Sequence, residues 1–197
     1  MIGCRAVRRG LASPCEGDGP APTLTAKVCL LGDPAVGKSS LVHAMAGDRF
    51  NEMYVTTVGA RVLKKTVTVH HPASGRDIRV RLMLWEITGH LGPAAAHPFL
   101  GGADAAIVVA DMARLDTQIG LWRWVEAARS SGRDIPVVLV VNKMDLLDPG
   151  FDSGIVLELS AEYASPCFYT SARAGENILQ ALDGVAATLA RRALSAG

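Results

Sequence analysis

Two stretches limit what this chain can fold into more than any others. Ala105–Asp111 (AAIVVAD) and Ile135–Asn142 (IPVVLVVN) are apolar at successive positions up to a polar end. A strand with one wet face alternates, whereas these runs have no wet face. They are read as central parallel strands covered on both sides, which demands helices above and below the sheet. Between them Ile119, Trp122 and Val125 recur at helical spacing, and Ile178, Leu179, Leu182, Val185, Ala186 and Leu189 mark a closing helix. Ala26–Gly32 (AKVCLLG) is a further short apolar run. Residues 60–71 and 77–86 are two strand-like runs joined by PASGR, a hairpin signal. In the second, Ile78, Val80, Leu82 and Leu84 alternate with Arg79, Arg81 and Met83, so one face is buried. Strands alternating with helices give a layered α/β sheet, and binding in such sheets belongs at the carboxyl ends of the strands.

The chain has 197 residues, enough for one domain with a substantial core. With 20 basic against 19 acidic residues, bulk charge offers no attraction to nucleic acid or to a membrane surface. No apolar run reaches the roughly 18 residues needed to span a bilayer. Cys4, Cys15, Cys29 and Cys167 form no C-x-x-C pair, so reduced thiols in a cytoplasmic protein are expected, with Cys29 and Cys167 in the core. Residues 1–24 are rich in Gly, Pro and small side chains without periodicity and are read as a flexible arm, leaving 25–197 as the folded domain. Ile2 excludes N-myristoylation, and RRALSAG at the end offers no cysteine for prenylation. His70 and His71 are adjacent on a strand and point to opposite faces, which argues against a shared metal.

Gly32-Asp-Pro-Ala-Val-Gly37-Lys38-Ser39 matches G-x-x-x-x-G-K-[ST] between a predicted strand and a predicted helix. The glycines let backbone N–H groups curl around phosphate oxygens, and the helix N-terminus adds partial positive charge. Lys38 can reach the outer phosphates, and the Ser39 hydroxyl can ligate Mg²⁺. Asn142-Lys143-Met144-Asp145 follows the strongest central strand. The Asp145 carboxylate can accept from the ring N–H and exocyclic amine of guanine, whereas adenine presents an acceptor at that ring nitrogen. A mismatch there leaves a buried polar group unpaired, so the discrimination is steep. Thr170-Ser171-Ala172, running on into Arg173, lies after the last predicted strand, where a backbone N–H could donate to the guanine oxygen.

With these motifs, the stretch from about Ala26 to Arg192 resembles the Ras-like small GTPases, particularly the Rab-like branch. The resemblance implies a six-stranded, mostly parallel sheet with five helices on both faces, binding GTP or GDP with Mg²⁺. It carries Asp33, Pro34, Ala35, Val36, Gly37, Lys38, Ser39 and Ser40 over as the phosphate-contacting run. RFNEMYVTTVG resembles a switch I segment, so Phe50 would pack on the guanine, Tyr54 would lie over the phosphates, and Thr57 would bind Mg²⁺ and the γ-phosphate. Trp124 sits where many Rab-like proteins have Trp, and its expected role is core packing.

The family pattern W-D-T-A-G-Q reads here Trp85-Glu86-Ile87-Thr88-Gly89-His90. Gly89 would give its N–H to the γ-phosphate. Glu86 keeps the carboxylate that holds Mg²⁺ through water, with a longer reach. His90 replaces the Gln that orients the attacking water, and a neutral imidazole can orient or accept from water too. The alternative is a solvent-facing His90. Pro34 replaces a small residue on the path of an incoming arginine finger. The segment HLGPAAAHPFLGG has lost the charged and aromatic residues common in switch II, and its Gly, Pro and Ala imply mobility.

The expectation is therefore a cytoplasmic, monomeric molecular switch that hydrolyses GTP slowly, with Lys38, Gly89 and His90 at the reacting end. Effectors and regulators would meet it through the switch segments. One rival is a nucleotide-binding interaction module of the same fold without useful hydrolysis. The other is a P-loop ATPase or small-molecule kinase, against which Asn142 and Asp145 argue.

Overall fold

The computed structural model describes residues 23–47, 53–55, 60–71, 75–87, 90, 92–131, 134–147 and 154–195. Its strands are β1 (Thr23–Gly32), β2 (Met53–Val55), β3 (Ala60–His71), β4 (Arg76–Ile87), β5 (Ala105–Asp111), β6 (Val137–Asn142) and β7 (Cys167–Tyr169). They form one sheet in the order β2-β3-β4-β1-β5-β6-β7. The pairs β1–β4, β1–β5, β5–β6 and β6–β7 are parallel, and β2–β3 and β3–β4 are antiparallel. The six strands read from the sequence are all present, and the three-residue β2 extends the edge.

The helices are α1 (Lys38–Ala46), α2 (Gly92–Leu100), α3 (Leu115–Ile119), α4 (Leu121–Arg129), α5 (Gly154–Glu162) and α6 (Ile178–Ser195). The expected five helical segments are α1, α2, the α3–α4 pair, α5 and α6. Every residue of β5 and β6 is buried, as their unbroken apolar runs require. Successive residues of the central strands serve opposite faces. Val28, Leu30, Ile107, Val109, Val138 and Val140 join α1 and α6 in one core cluster. Cys29, Leu31, Ala106, Val108, Leu139 and Val141 join α2 and α4 in the other. In β4 the predicted alternation holds, with Ile78, Val80, Leu82 and Leu84 buried and Arg79 and Arg81 exposed.

Four readings need correction. Thr23 and Leu24, assigned to the arm, begin β1 and pair with Arg79 and Val80. Ile119 and Trp122 are 47% and 45% exposed, because the predicted helix is interrupted at Gly120 and its inward face is reset to Leu121, Trp124, Val125 and Ala128. Space at that position is tight: a Cβ on Gly120 would lie 3.1 Å from the Asp116 carbonyl and 3.4 Å from the Asp33 carboxylate. Leu179 is 63% exposed, while the neighbouring Ile178, Ala181, Leu182 and Val185 carry the buried stripe of α6. The segment read as mobile from its Gly, Pro and Ala contains helix α2, anchored by buried Ala96 and Leu100. Lys27 closes its C-terminal end by donating from Nζ to the Phe99 and Gly101 carbonyls at 2.7 and 2.8 Å.

Cys29 is fully buried, and the half-buried Cys167 packs against the same cluster. Burial pushes both thiols up to about 11, which keeps them protonated and unreactive.

Candidate functional site

At the carboxyl edge of the sheet, β1, β5 and β6 end side by side in Gly32, Asp111 and Asn142. The turn from β1 into α1 rises there. Its backbone curls because Gly32, Ala35 and Gly37 have φ of 136°, 61° and 98°. Two of these positions admit no side chain. A Cβ on Gly32 would meet the Val109 carbonyl oxygen at 2.3 Å, and one on Gly37 would meet Asn142 Nδ2 at 2.2 Å. The motif glycines are thus fixed by close approach of the neighbouring strands as well as by turn geometry.

Side chains from the neighbouring strand ends hold the turn from outside. Asn142 Nδ2 donates to the Val36 carbonyl at 3.0 Å, Lys143 Nζ to the Ala35 carbonyl at 2.9 Å, and Arg114 to the Pro34 carbonyl at 2.8 Å. Asp33 accepts from the Trp124 indole N–H at 2.9 Å. Trp124 is buried, so it has the expected core role and also ties α4 to the turn. Buried Asp111 orients two of these groups, accepting from Lys143 Nζ at 2.6 Å and Arg114 Nε at 3.3 Å. Neither Asp111 nor Arg114 was singled out from the sequence. An Asp ending an apolar strand was the signal available for the first, and Arg114 carried none.

Lys38 is buried, and its ammonium donates to the Gly32 and Asp33 carbonyls of its own turn at 2.8 and 2.7 Å. Burial pulls its pKa down to about 8, against the opposing pull of the Glu86 and Asp33 carboxylates. Ser39 and Ser40 are exposed at the mouth.

The second half of the site is built around Asn142, whose Oδ1 accepts from Thr170 Oγ1 at 3.2 Å and from the Ala172 N–H at 3.1 Å. Asn142 is 1% exposed, so the structure makes it a joint between the turn, β6 and the loop after β7. Lys143 adopts a left-handed φ of 67° and leads into a 3-10 turn, Met144–Leu146. Asp145 is exposed there, and its carboxylate accepts from the buried Ser171 hydroxyl at 2.6 Å. Gly37, Ser40, Asn142, Lys143, Asp145, Ala172 and Arg173 line one cavity of about 590 Å³. His43, Ala44 and Leu146 also line it and had not been read from the sequence. The cavity brings the two motifs, over a hundred residues apart in the chain, onto one opening.

Across the turn, Ser39 Oγ donates to Glu86 Oε1. Among the described residues Glu86 Oε2 is buried and lacks a hydrogen-bond partner, and the cation paired with it is Arg61, with Nη1 at 4.0 Å. A hydroxyl beside an unsatisfied carboxylate oxygen is a set of hard donors that fits Mg²⁺. His90 is exposed. Phe50, Thr57 and Gly89 lie outside the described residues, and Tyr54 falls in β2 with its side chain outside them.

The family model described as Roc, Ras of Complex, Roc, domain of DAPkinase matches residues 27–145. The chain is similar to the GTP-binding protein YPT53 of Saccharomyces cerevisiae, with 36% identity over 81% of this chain and 74% of the relative. It is also similar to GTP-binding protein YPT52 of the same yeast, with 33% identity over 61% of this chain and 53% of that relative. A sheet with this topology, a phosphate-type turn pinned to an N-K-x-D segment, and these matches converge: the chain belongs to the Ras-like small GTPases, on their Rab-like side.

Proposed function

We propose that the chain, with its nucleotide-binding domain beginning at Thr23, where β1 starts, behind an arm before it, binds GTP or GDP and hydrolyses GTP slowly as a molecular switch. The observation that carries this reading is the hydrogen-bonded frame joining the phosphate turn to Asn142, Lys143, Asp145 and Ser171 around one cavity. Asp145, oriented by Ser171, accepts from the guanine ring N–H and amine, and the Ala172 and Arg173 segment lies beside the guanine oxygen. Backbone N–H groups of residues 33–40 other than Pro34, which has none, hold the phosphates, and Lys38 turns from its own carbonyls onto their outer oxygens. Ser39, Glu86 and Thr57 would hold Mg²⁺, which when bound neutralises phosphate charge. Phe50 covers the base, Tyr54 the phosphates, and Gly89 donates to the terminal phosphate. His90 orients the attacking water, accepting from it as a neutral ring.

Among the described residues no helix is long and apolar enough to cross a membrane. The protein works in the cytoplasm as a monomer, meeting effector and regulatory proteins through the two switch segments.

The test is to identify the nucleotide carried by the purified chain and to follow one turnover of bound GTP. Guanine nucleotide and slow release of phosphate are expected, with His90→Ala at least about tenfold slower, at the low end of acid–base contributions. Adenine nucleotide in the site would overturn the base assignment. A second reading, nucleotide binding without useful hydrolysis, draws on the Ser39–Glu86 contact, which occupies the serine hydroxyl. No turnover in wild type would select it, and equal rates in wild type and His90→Ala would remove His90 from the chemistry.

A further inference from the structure

The cation site carries a charge of its own. Arg61 on β3 is the register partner of Glu86 on β4 in an antiparallel pair, so its position is set by the sheet. Its guanidinium is half-exposed and stands with Nη1 4.0 Å from Glu86 Oε2. That is too long for a charge-assisted hydrogen bond, whose donor–acceptor distances are about 2.7–2.9 Å. Oε2 is nonetheless buried and without a hydrogen-bond partner, while Oε1 is held by the Ser39 hydroxyl. One carboxylate oxygen therefore faces two ways of being satisfied: a short movement of Arg61 onto it, or a divalent cation beside Ser39.

We propose that Arg61 is a positioning residue that competes with the divalent cation for Glu86. In the absence of the cation, Arg61, Glu86 and Ser39 form a chain that takes up part of its electrostatic role. In its presence, the guanidinium weakens the hold on it by its claim on Oε2. The competition lowers the dependence of nucleotide release on the metal. This inference rests on the guanine-nucleotide reading of the same site.

Release of a fluorescent GDP analogue from the full chain, measured across buffered free Mg²⁺ concentrations, tests it. The readout is the Mg²⁺ concentration at which release is half-maximally slowed. Arg61→Ala is expected to lower that midpoint about three- to fivefold, the range of a partly exposed ion pair. Arg61→Lys, which keeps the charge, should stay within about twofold of wild type. In a Glu86→Gln background the Arg61→Ala shift should vanish. An unmoved or raised midpoint in Arg61→Ala overturns the proposal, as does a shift that persists without the Glu86 charge. If Arg61→Ala does not fold, Arg61→Gln is read by the same criteria. Failure of the wild type to bind the GDP analogue, or release indifferent to Mg²⁺, refutes the underlying reading and the inference with it. A metal-dependent wild type with an unshifted Arg61→Ala refutes the inference alone.

Discussion

The two ends of the nucleotide site are built differently. On the base side the groups that build the frame have protein partners: Asn142 makes three side-chain hydrogen bonds, Asp111 binds two cations, and Asp145 is oriented by Ser171. On the metal side Glu86 keeps a buried oxygen without a hydrogen bond, and Arg61 stands at 4.0 Å. The base end is finished by the fold, so it can select a ligand without rearranging. The proposed metal end retains an unsatisfied acceptor, whose desolvation is offset when Arg61 closes on it or a cation arrives. Under the proposed reading, selection and switching would be separated within one site.

Three measurements would break or sharpen this contrast. The largest effect is expected from Asp145→Asn, which faces the ligand more than the frame. An amide can donate where the carboxylate could only accept, so GTP affinity should fall on the order of a hundredfold and xanthosine nucleotides should be favoured. Direct competition of GTP against XTP reads this, and an unchanged preference would mean the base is selected elsewhere. Next comes Asn142→Ala, which removes a frame member and strands the Val36 carbonyl and the Ala172 N–H. Chemical denaturation of the nucleotide-free protein should show a loss of about 2–3 kcal/mol. A loss near zero would mean the base end is not finished by the fold at all.

The smallest effect concerns pH at the phosphate turn. The lysine pKa of about 8 in the free protein lies below its ordinary value near 10.5. The unfolded chain therefore binds more protons than the native one between these values, so this group's contribution makes the free protein more stable as pH rises through that window. Nucleotide binding runs the other way. Phosphates favour the ammonium, so GDP affinity should fall by up to about tenfold for each pH unit above 8. Binding there should also take up a proton, visible in calorimetry across buffers of different ionisation enthalpy. A flat affinity between pH 7.5 and about 9.5 would remove Lys38 from the phosphates.

The sequence made the base end legible because chemistry alone constrains it. Gly32 to Ser39 and Asn142 to Asp145 have few alternatives in residue type or spacing, and the all-apolar runs of β5 and β6 announce their burial. The misread parts depend on phase and register. Ile119 and Trp122 have sound helical spacing, but the break at Gly120 rotates the inward face onto Leu121 and Trp124. The glycine at that break lies beside Asp33, from a distant segment, a proximity that helical spacing does not announce. Arg61 gives no hint of its neighbour either, since only the pairing of β3 with β4 sets it opposite Glu86. The roles of Phe50, Thr57 and Gly89 came from the resemblance, and the described structure leaves them as they were.

The resting place of Lys38 bears on how nucleotide leaves. Its ammonium already has two acceptors in the Gly32 and Asp33 carbonyls. A departing phosphate therefore does not abandon a bare buried cation, since the lysine can swing back onto oxygens that stay put. On the proposed assignment of Lys38 to the phosphates, exit would proceed by exchange of partners, which would lower the barrier to unloading. The same carbonyls that keep the empty turn intact act as a landing for the charge, and they help a tight binder become a reversible one.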